Sequence, residues 1–123
     1  MNGKNQHLSD GKKAEDIARH YLEKQGLGIR EQNYRCRFGE IDIICDDKKT
    51  IVFVEVRYRK HQQFGGAKES IGFHKQQKII TTAKHYLIQY PDVTCRFDVI
   101  LLAELDVKKV EWIKNAFDVS ITS

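Results

Sequence analysis

The stretch FGEIDIICDDKKTIVFVEVRYR, residues 38 to 59, decides how this chain reads. In its first part Ile41, Ile43 and Cys45 alternate with Glu40, Asp42 and Ile44, and a period of two marks a strand. Asp46-Asp47-Lys48-Lys49 is turn material. Beyond it TIVFVEVRYR is rich in β-branched and aromatic residues, with Val52, Val54, Val56 and Tyr58 on one parity, so the two segments predict a hairpin. Successive strand residues point to opposite faces, and only residues of one parity share a face. With residues 46 to 49 as the loop, Ile44 lies opposite Ile51, Asp42 opposite Phe53 and Glu40 opposite Glu55. Any even loop length puts Glu40, Asp42, Glu55, Arg57 and Arg59 on one face. Asp42 is then diagonal to Glu55, with roughly 5 to 8 Å between their side-chain bases.

Carboxylates held this close repel one another, and Ile44, Ile51 and Phe53 carry the same face into a core. The cluster needs a counter-charge, supplied either by a shared proton or by a hard divalent cation that takes oxygen ligands; Mg²⁺ is the better match. A cation there would polarise a phosphoryl oxygen and activate water, while Arg57 would stabilise charge developing on the phosphate. That combination predicts phosphodiester hydrolysis. A solvated hairpin end, or an ion-pair network of Glu40 and Glu55 with Arg57 and Arg59, is the structural alternative.

Upstream of the hairpin, Ser9 or Asp10 can cap a helix over about residues 10 to 25, with Ala14, Ile17, Ala18, Tyr21 and Leu22 in helical spacing and Gly26 as the stop. Gly28 to Arg35 is a weaker, polar strand candidate. Downstream, KHQQFGGAKES (60 to 70) has Gly65-Gly66 and no apolar period, and reads as a mobile basic loop. A second helix follows, capped by Ser70 and ended near Pro91, with Ile79, Ile80, Ala83, Tyr86, Leu87 and Tyr90 as its apolar stripe. VTCRFDVILL and VKKVEWI read as two more strands. The order α, several β, α, β, β predicts an α/β or α+β domain, a mixed β-sheet flanked by helices.

At 123 residues the chain fits one domain, residues 1–123, with about 1–9 and 118–123 expected as disordered tails. No apolar run reaches the roughly 18 to 20 residues of a membrane span, and the polar start MNGKNQHLSDGKK does not resemble a signal peptide, so a cytoplasmic protein is expected. Cys36, Cys45 and Cys95 stand in no CxxC spacing and read as free, buried thiols in a reducing compartment. The net charge is +4, but Arg57 to Lys84 carries +6 of it and the rest −2. This basic segment, with Arg57, Arg59, Lys60, Lys68, Lys75 and Lys78, fits a polyanion such as nucleic acid. No Gly-rich phosphate loop, HExxH or GxSxG occurs, and the histidines are scattered; His74 beside Lys75 could touch a phosphate but reads more simply as a solvated residue at a helix start.

GEIDII (39 to 44), VFVEVRYR (52 to 59), FGGA (64 to 67) and RFDVI (96 to 100) resemble the YraN-type family of predicted bacterial nucleases, related to Holliday-junction resolvases in the PD-(D/E)XK superfamily. The resemblance runs from about Lys12 to Phe117. It implies a restriction-endonuclease-like core in which Asp42 and Glu55 match the metal-binding acids and the Val56 carbonyl is a third ligand for Mg²⁺ or Mn²⁺. Glu15 matches an acid that resolvase relatives direct toward the metal, and Gln76 a polar position that supports the site. Ile41 replaces the proline of the superfamily name, and Arg57 stands where lysine is usual. Arginine donates to a phosphate but does not lose its proton, so it can orient or stabilise but not serve as a base. Asp98 belongs to the family pattern, yet a strand acid beside Arg96 is most simply structural.

Three functions follow as expectations. The first is a metal-dependent endonuclease on DNA, including branched or junction DNA, with Glu40, Asp42, Glu55, Arg57 and Gln76 in the catalytic set. The others are a nucleic-acid-binding module without catalysis and a protein-interaction module of the same fold. Cutting two symmetric strands is simplest for a two-fold homodimer, although no stretch reads as an interface.

Overall fold

The structure is a computed structural model, and it describes residues 9–59 and 71–118. Helix α1 spans Asp10–Lys24. Ser9, one of the two expected caps, is its N-cap: Lys12 N donates to Ser9 Oγ at 3.1 Å. The helix ends where Gly26 takes φ 95°. Leu27 N donates to Leu22 O and Gly26 N to Glu23 O, and Leu22 and Leu27 are both buried. This closure satisfies two carbonyls of the last turn, as a left-handed glycine permits.

Five strands follow: β1 (Gly28–Cys36), β2 (Gly39–Asp47), β3 (Thr50–Tyr58), β4 (Thr94–Leu102) and β5 (Val110–Phe117). They lie in that order in one mixed sheet, antiparallel except for β3 and β4. A parallel pair needs a crossover, and helix α2 (Phe73–Leu87) lies within it. The helix follows Gly72 in the cap position rather than Ser70, which falls outside the described residues. A 3₁₀ turn at Val107–Lys109 leads into β5.

Each helix covers one face of the sheet. On the α1 side Ala14, Ala18 and Leu22 pack with Ile43, Cys45, Val52, Val54, Ile100 and Leu102. On the α2 side Ile79, Ile80, Ala83 and Tyr86 pack with Ile44, Ile51, Phe53, Phe97, Val99 and Leu101. The apolar stripes read from the sequence supply both layers, and β3 and β4, buried on both faces, carry the near-continuous hydrophobic runs expected of central strands.

The hairpin is tighter than predicted. Asp46 and Asp47 are strand residues paired with Ile51 and Thr50, so the turn is Lys48-Lys49, with Lys48 at φ 59°. The register moves by two, bringing Ile44 opposite Phe53 and Ile43 opposite Val54. Cross-strand arginines make the difference: Arg30 pairs with Asp46 at 2.8 Å and Arg96 with Asp47 at 2.9 Å, so two acids with turn propensity are held in extended backbone. All three cysteines are free, but only Cys45 is buried; Cys36 and Cys95 are half-buried. No described helix is long and apolar enough to cross a membrane. The loop 60 to 70 and the tails 1–8 and 119–123 fall outside the described residues.

Candidate acidic cleft between two splayed strands

The β2–β3 ladder ends at Ile43–Val54, leaving Asp42 and Glu55 as the first residues past it, one on each strand. Asp42 marks a change of face as well. Ile41 packs on the α2 side and Ile43 on the α1 side, although strict alternation would put them together. On β1 the pairing skips from Gln32 to Tyr34, and Asn33 between them has φ 53°, so the kink involves both strands. The expected single acidic face is therefore corrected: Asp42 meets Glu15 of α1, whereas Glu55 shares parity with Ile51 and Phe53 and meets Lys75 of α2. The two acids approach from opposite sides and meet in the gap.

Where β2 has parted from β3, Val56 N donates to Asp42 Oδ2 at 2.8 Å, a side chain replacing the missing ladder bond. Glu15, Glu40 and Asp42 each bring a carboxylate oxygen within 4.8 Å of the others. Asn33 Nδ2 donates to Glu15 Oε1 at 2.8 Å, and Arg35 pairs with Glu40 at 3.2 Å. Glu55 is buried, with Lys75 Nζ at 3.7 Å from Oε2. These groups open on a cleft of about 320 Å³ whose walls include Glu15, Asp42, Glu55, Val56, Arg57 and Arg59, with Gly11 and Ala14 of α1 at the rim. Small residues there leave the first turn of α1, the positive end of its dipole, next to the acids.

The electrostatics follow from burial. Desolvation, then the charge of Glu55, pushes the Asp42 carboxyl up to about 8, against the bond from Val56 N. Burial also raises Glu55, opposed first by Lys75 and then by a hydrogen bond from Asp42 and the charge of Arg57. Without a cation the pair therefore shares a proton, with Asp42 as donor.

Of the other residues singled out from sequence, Arg57 lines the cleft with a buried Nε that has no hydrogen-bond partner among the described residues. Gln76 is buried and donates to Ile71 O at 2.9 Å, which anchors the start of α2 and leaves its amide outside the cleft wall. Lys78 lies farther along α2 in a separate groove. Lys60 and Lys68 fall outside the described residues. Asp98 is fully buried and accepts from Arg96 Nε, Trp112 Nε1 and Asn115 N, so it belongs to the framework. Sequence reasoning missed Asn33 and the contact of Lys75 with Glu55. A polar residue in a weak strand gave no signal, and Lys75 read only as one more surface cation.

Fold and cleft together define a small mixed α/β domain with an acidic pocket opened between neighbouring strands. The chain belongs to the uncharacterised protein family UPF0102, whose model matches residues 14–102. It is 53% identical over 107 residues to a UPF0102 protein of Methylobacillus flagellatus, covering 87% of this chain and 95% of that one. It is 50% identical over 111 residues to one of Nitrosomonas europaea, covering 89% and 94%. A Psychromonas ingrahamii relative is 54% identical over 110 residues, covering 89% of each chain.

Proposed function

We propose that the protein is a metal-dependent endonuclease of restriction-endonuclease-like fold, hydrolysing phosphodiester bonds in DNA, with branched or junction DNA as the preferred form. The observation that carries this reading is the meeting of Asp42 and Glu55 in an open cleft, beside Glu15 and the unpartnered guanidinium nitrogen of Arg57. The donor set fits a hard cation: the group of Glu15, Glu40 and Asp42 offers carboxylate oxygen only, with no His or Cys. Asp42 and Glu55, with Glu15 and the Val56 carbonyl, would hold Mg²⁺ or Mn²⁺. When bound, the cation supplies Lewis-acid polarisation of a phosphoryl oxygen and activation of water.

The chain's own residues do the rest. Arg57 donates to the scissile phosphate and opposes charge gathering there, a role that suits a group which stays protonated. Lys75 holds Glu55 from the α2 side, its Nζ 3.7 Å from Oε2. Arg59, Lys60, Lys68 and Lys78 bind neighbouring phosphates.

The test is cleavage of labelled duplex, flap and four-way-junction DNA in Mn²⁺. At least one substrate is cut, and Asp42→Ala abolishes cutting; a panel left intact contradicts the proposal. The arginine at position 57 favours a second reading, a nucleic-acid-binding module without catalysis. In that case binding is salt-sensitive, log affinity falling by roughly 0.9 per neutralised phosphate for each tenfold rise in salt. Binding would also survive Asp42→Ala, with no metal-dependent product.

A further inference from the structure

A groove of about 280 Å³ lies away from the acidic cleft, between the β1–β2 turn and α2. Its walls are Phe38 from the turn and His74, Gln77, Lys78 and Thr81 from the helix. His74, Lys78, Thr81 and His85 follow one another at helical spacing and form a stripe, at whose side Phe38 stands. The ring is 38% exposed, high for a phenylalanine, but it is not loosely held. The Arg37 guanidinium lies 4.9 Å from its centre, and the His85 ring meets it edge-on at 5.8 Å. Tyr34 Oη and His85 Nδ1, hydrogen-bonded at 2.7 Å, fix that imidazole in turn. The turn is also seated on the helix, since Gly39 brings its backbone so near Thr82 that a Cβ would lie 2.9 Å from Oγ1.

The charge around this fixed ring is of one sign. Helix α2, FHKQQKIITTAKHYL, has three lysines and no acid, and the turn adds Arg37. The acid beside the turn, Glu40, is taken up by Arg35. An exposed aromatic face and flanking cations are the features by which proteins hold a base that has left its stack: the ring stacks and the cations take the phosphates. A paired duplex offers its phosphates but no free base face.

We propose that this groove binds an unpaired nucleobase of single-stranded nucleic acid, stacked on Phe38, with the adjoining phosphates on Arg37 and Lys78. The inference rests on the reading of the protein as one that acts on nucleic acid, and it names the form of substrate. The first turns of α2 link the two places: Lys75 pairs with Glu55, a residue of the cleft wall, while Lys78, one turn on, lines the groove. A strand bound at Phe38 is thereby led toward the acids, as an unpaired arm beside a duplex would be.

The test uses full-length protein in EDTA, so that binding is read without cleavage. Anisotropy measures affinity for an oligothymidylate carrying one 2-aminopurine and for a blunt duplex of equal length; the fluorescence of 2-aminopurine reports stacking. The wild type binds the single strand more tightly and quenches the probe. Phe38→Ala weakens single-strand binding by about tenfold or more and removes the quench, leaves duplex affinity unchanged, and Phe38→Trp restores both. If Phe38→Ala lowers the melting temperature, Phe38→Leu, which keeps an apolar side chain of similar bulk but has no ring to stack, carries the same expectation. Wild-type affinity in the groove variants overturns the proposal, and so does failure to bind single strands at low salt, which would leave the groove to a protein partner. Duplex cleavage in Mn²⁺ alongside either negative result would sink this proposal alone and leave the nuclease reading standing.

Discussion

Asp42 stores an electrostatic cost in the metal-free protein. Its carboxyl rises from 3.8 in the unfolded chain to about 8 in the fold, so between those values the folded state binds the extra proton. Stability is therefore greatest at the acid end of that window and falls as pH rises through it. Urea unfolding in EDTA from pH 4 to 8 shows that decline, and Asp42→Asn, which cannot ionise, flattens it and is the more stable protein at pH 8. An unchanged slope in the variant would assign the repulsion elsewhere. Asp98 serves the framework instead, since Arg96, Trp112 and Asn115 all donate to its carboxylate. Asp98→Ala leaves Arg96 with Asp47 alone and takes the acceptor from Trp112 Nε1 and Asn115 N, and lowers unfolding free energy by about 3 to 5 kcal/mol, the usual result of removing one member of a buried ion pair. A loss below 1 kcal/mol in the same urea titration would contradict a framework role.

At the scale of elements, the cleft depends on how the β1–β2 arm is set against α2. Gly39 has φ 151° and no room for a side chain, its Cβ position lying 2.9 Å from Thr82 Oγ1. Gly39→Ala therefore costs about 1 to 3 kcal/mol in unfolding free energy, by urea titration. Gly28→Ala, where a Cβ meets nothing within 4 Å, stays within about 0.5 kcal/mol. Equal effects at both glycines would remove the close approach as the cause. Elements with strong periods were legible in sequence: both amphipathic helices and the apolar runs of β3 and β4 fall where the residues indicate. The register of the hairpin was not, because Asp46 and Asp47 have turn propensity and owe their strand geometry to Arg30 and Arg96, distant partners that no local rule reveals. Strict alternation likewise failed at Asp42. The kink there arises with Asn33 on another strand, and Ile41 and Ile43, equivalent by parity, end on opposite faces. Candidate acids could be named from residue type and closeness in sequence, whereas the route by which they meet, through the gap rather than across a face, belongs to the tertiary structure.

Among the described residues the molecule is a five-stranded sheet with one helix on each face, and its acidic site sits where β2 and β3 separate. That placement lets α1 supply Glu15 and α2 supply Lys75 to one cleft. Nearby backbone is held by two well-packed layers, so the carboxylates remain close despite their repulsion and an ion could relieve it on binding. Relief of this kind links cation affinity to the shared proton, which binding must release. Isothermal titration of Mn²⁺ into the wild type and Asp42→Asn at pH 7, in two buffers of different ionisation enthalpy, measures both at once. Saturable binding by the wild type with proton release, and none by the variant, is the predicted result. Heats that match between the two proteins, or a wild type that takes up no Mn²⁺, would contradict the metal site on which this account rests.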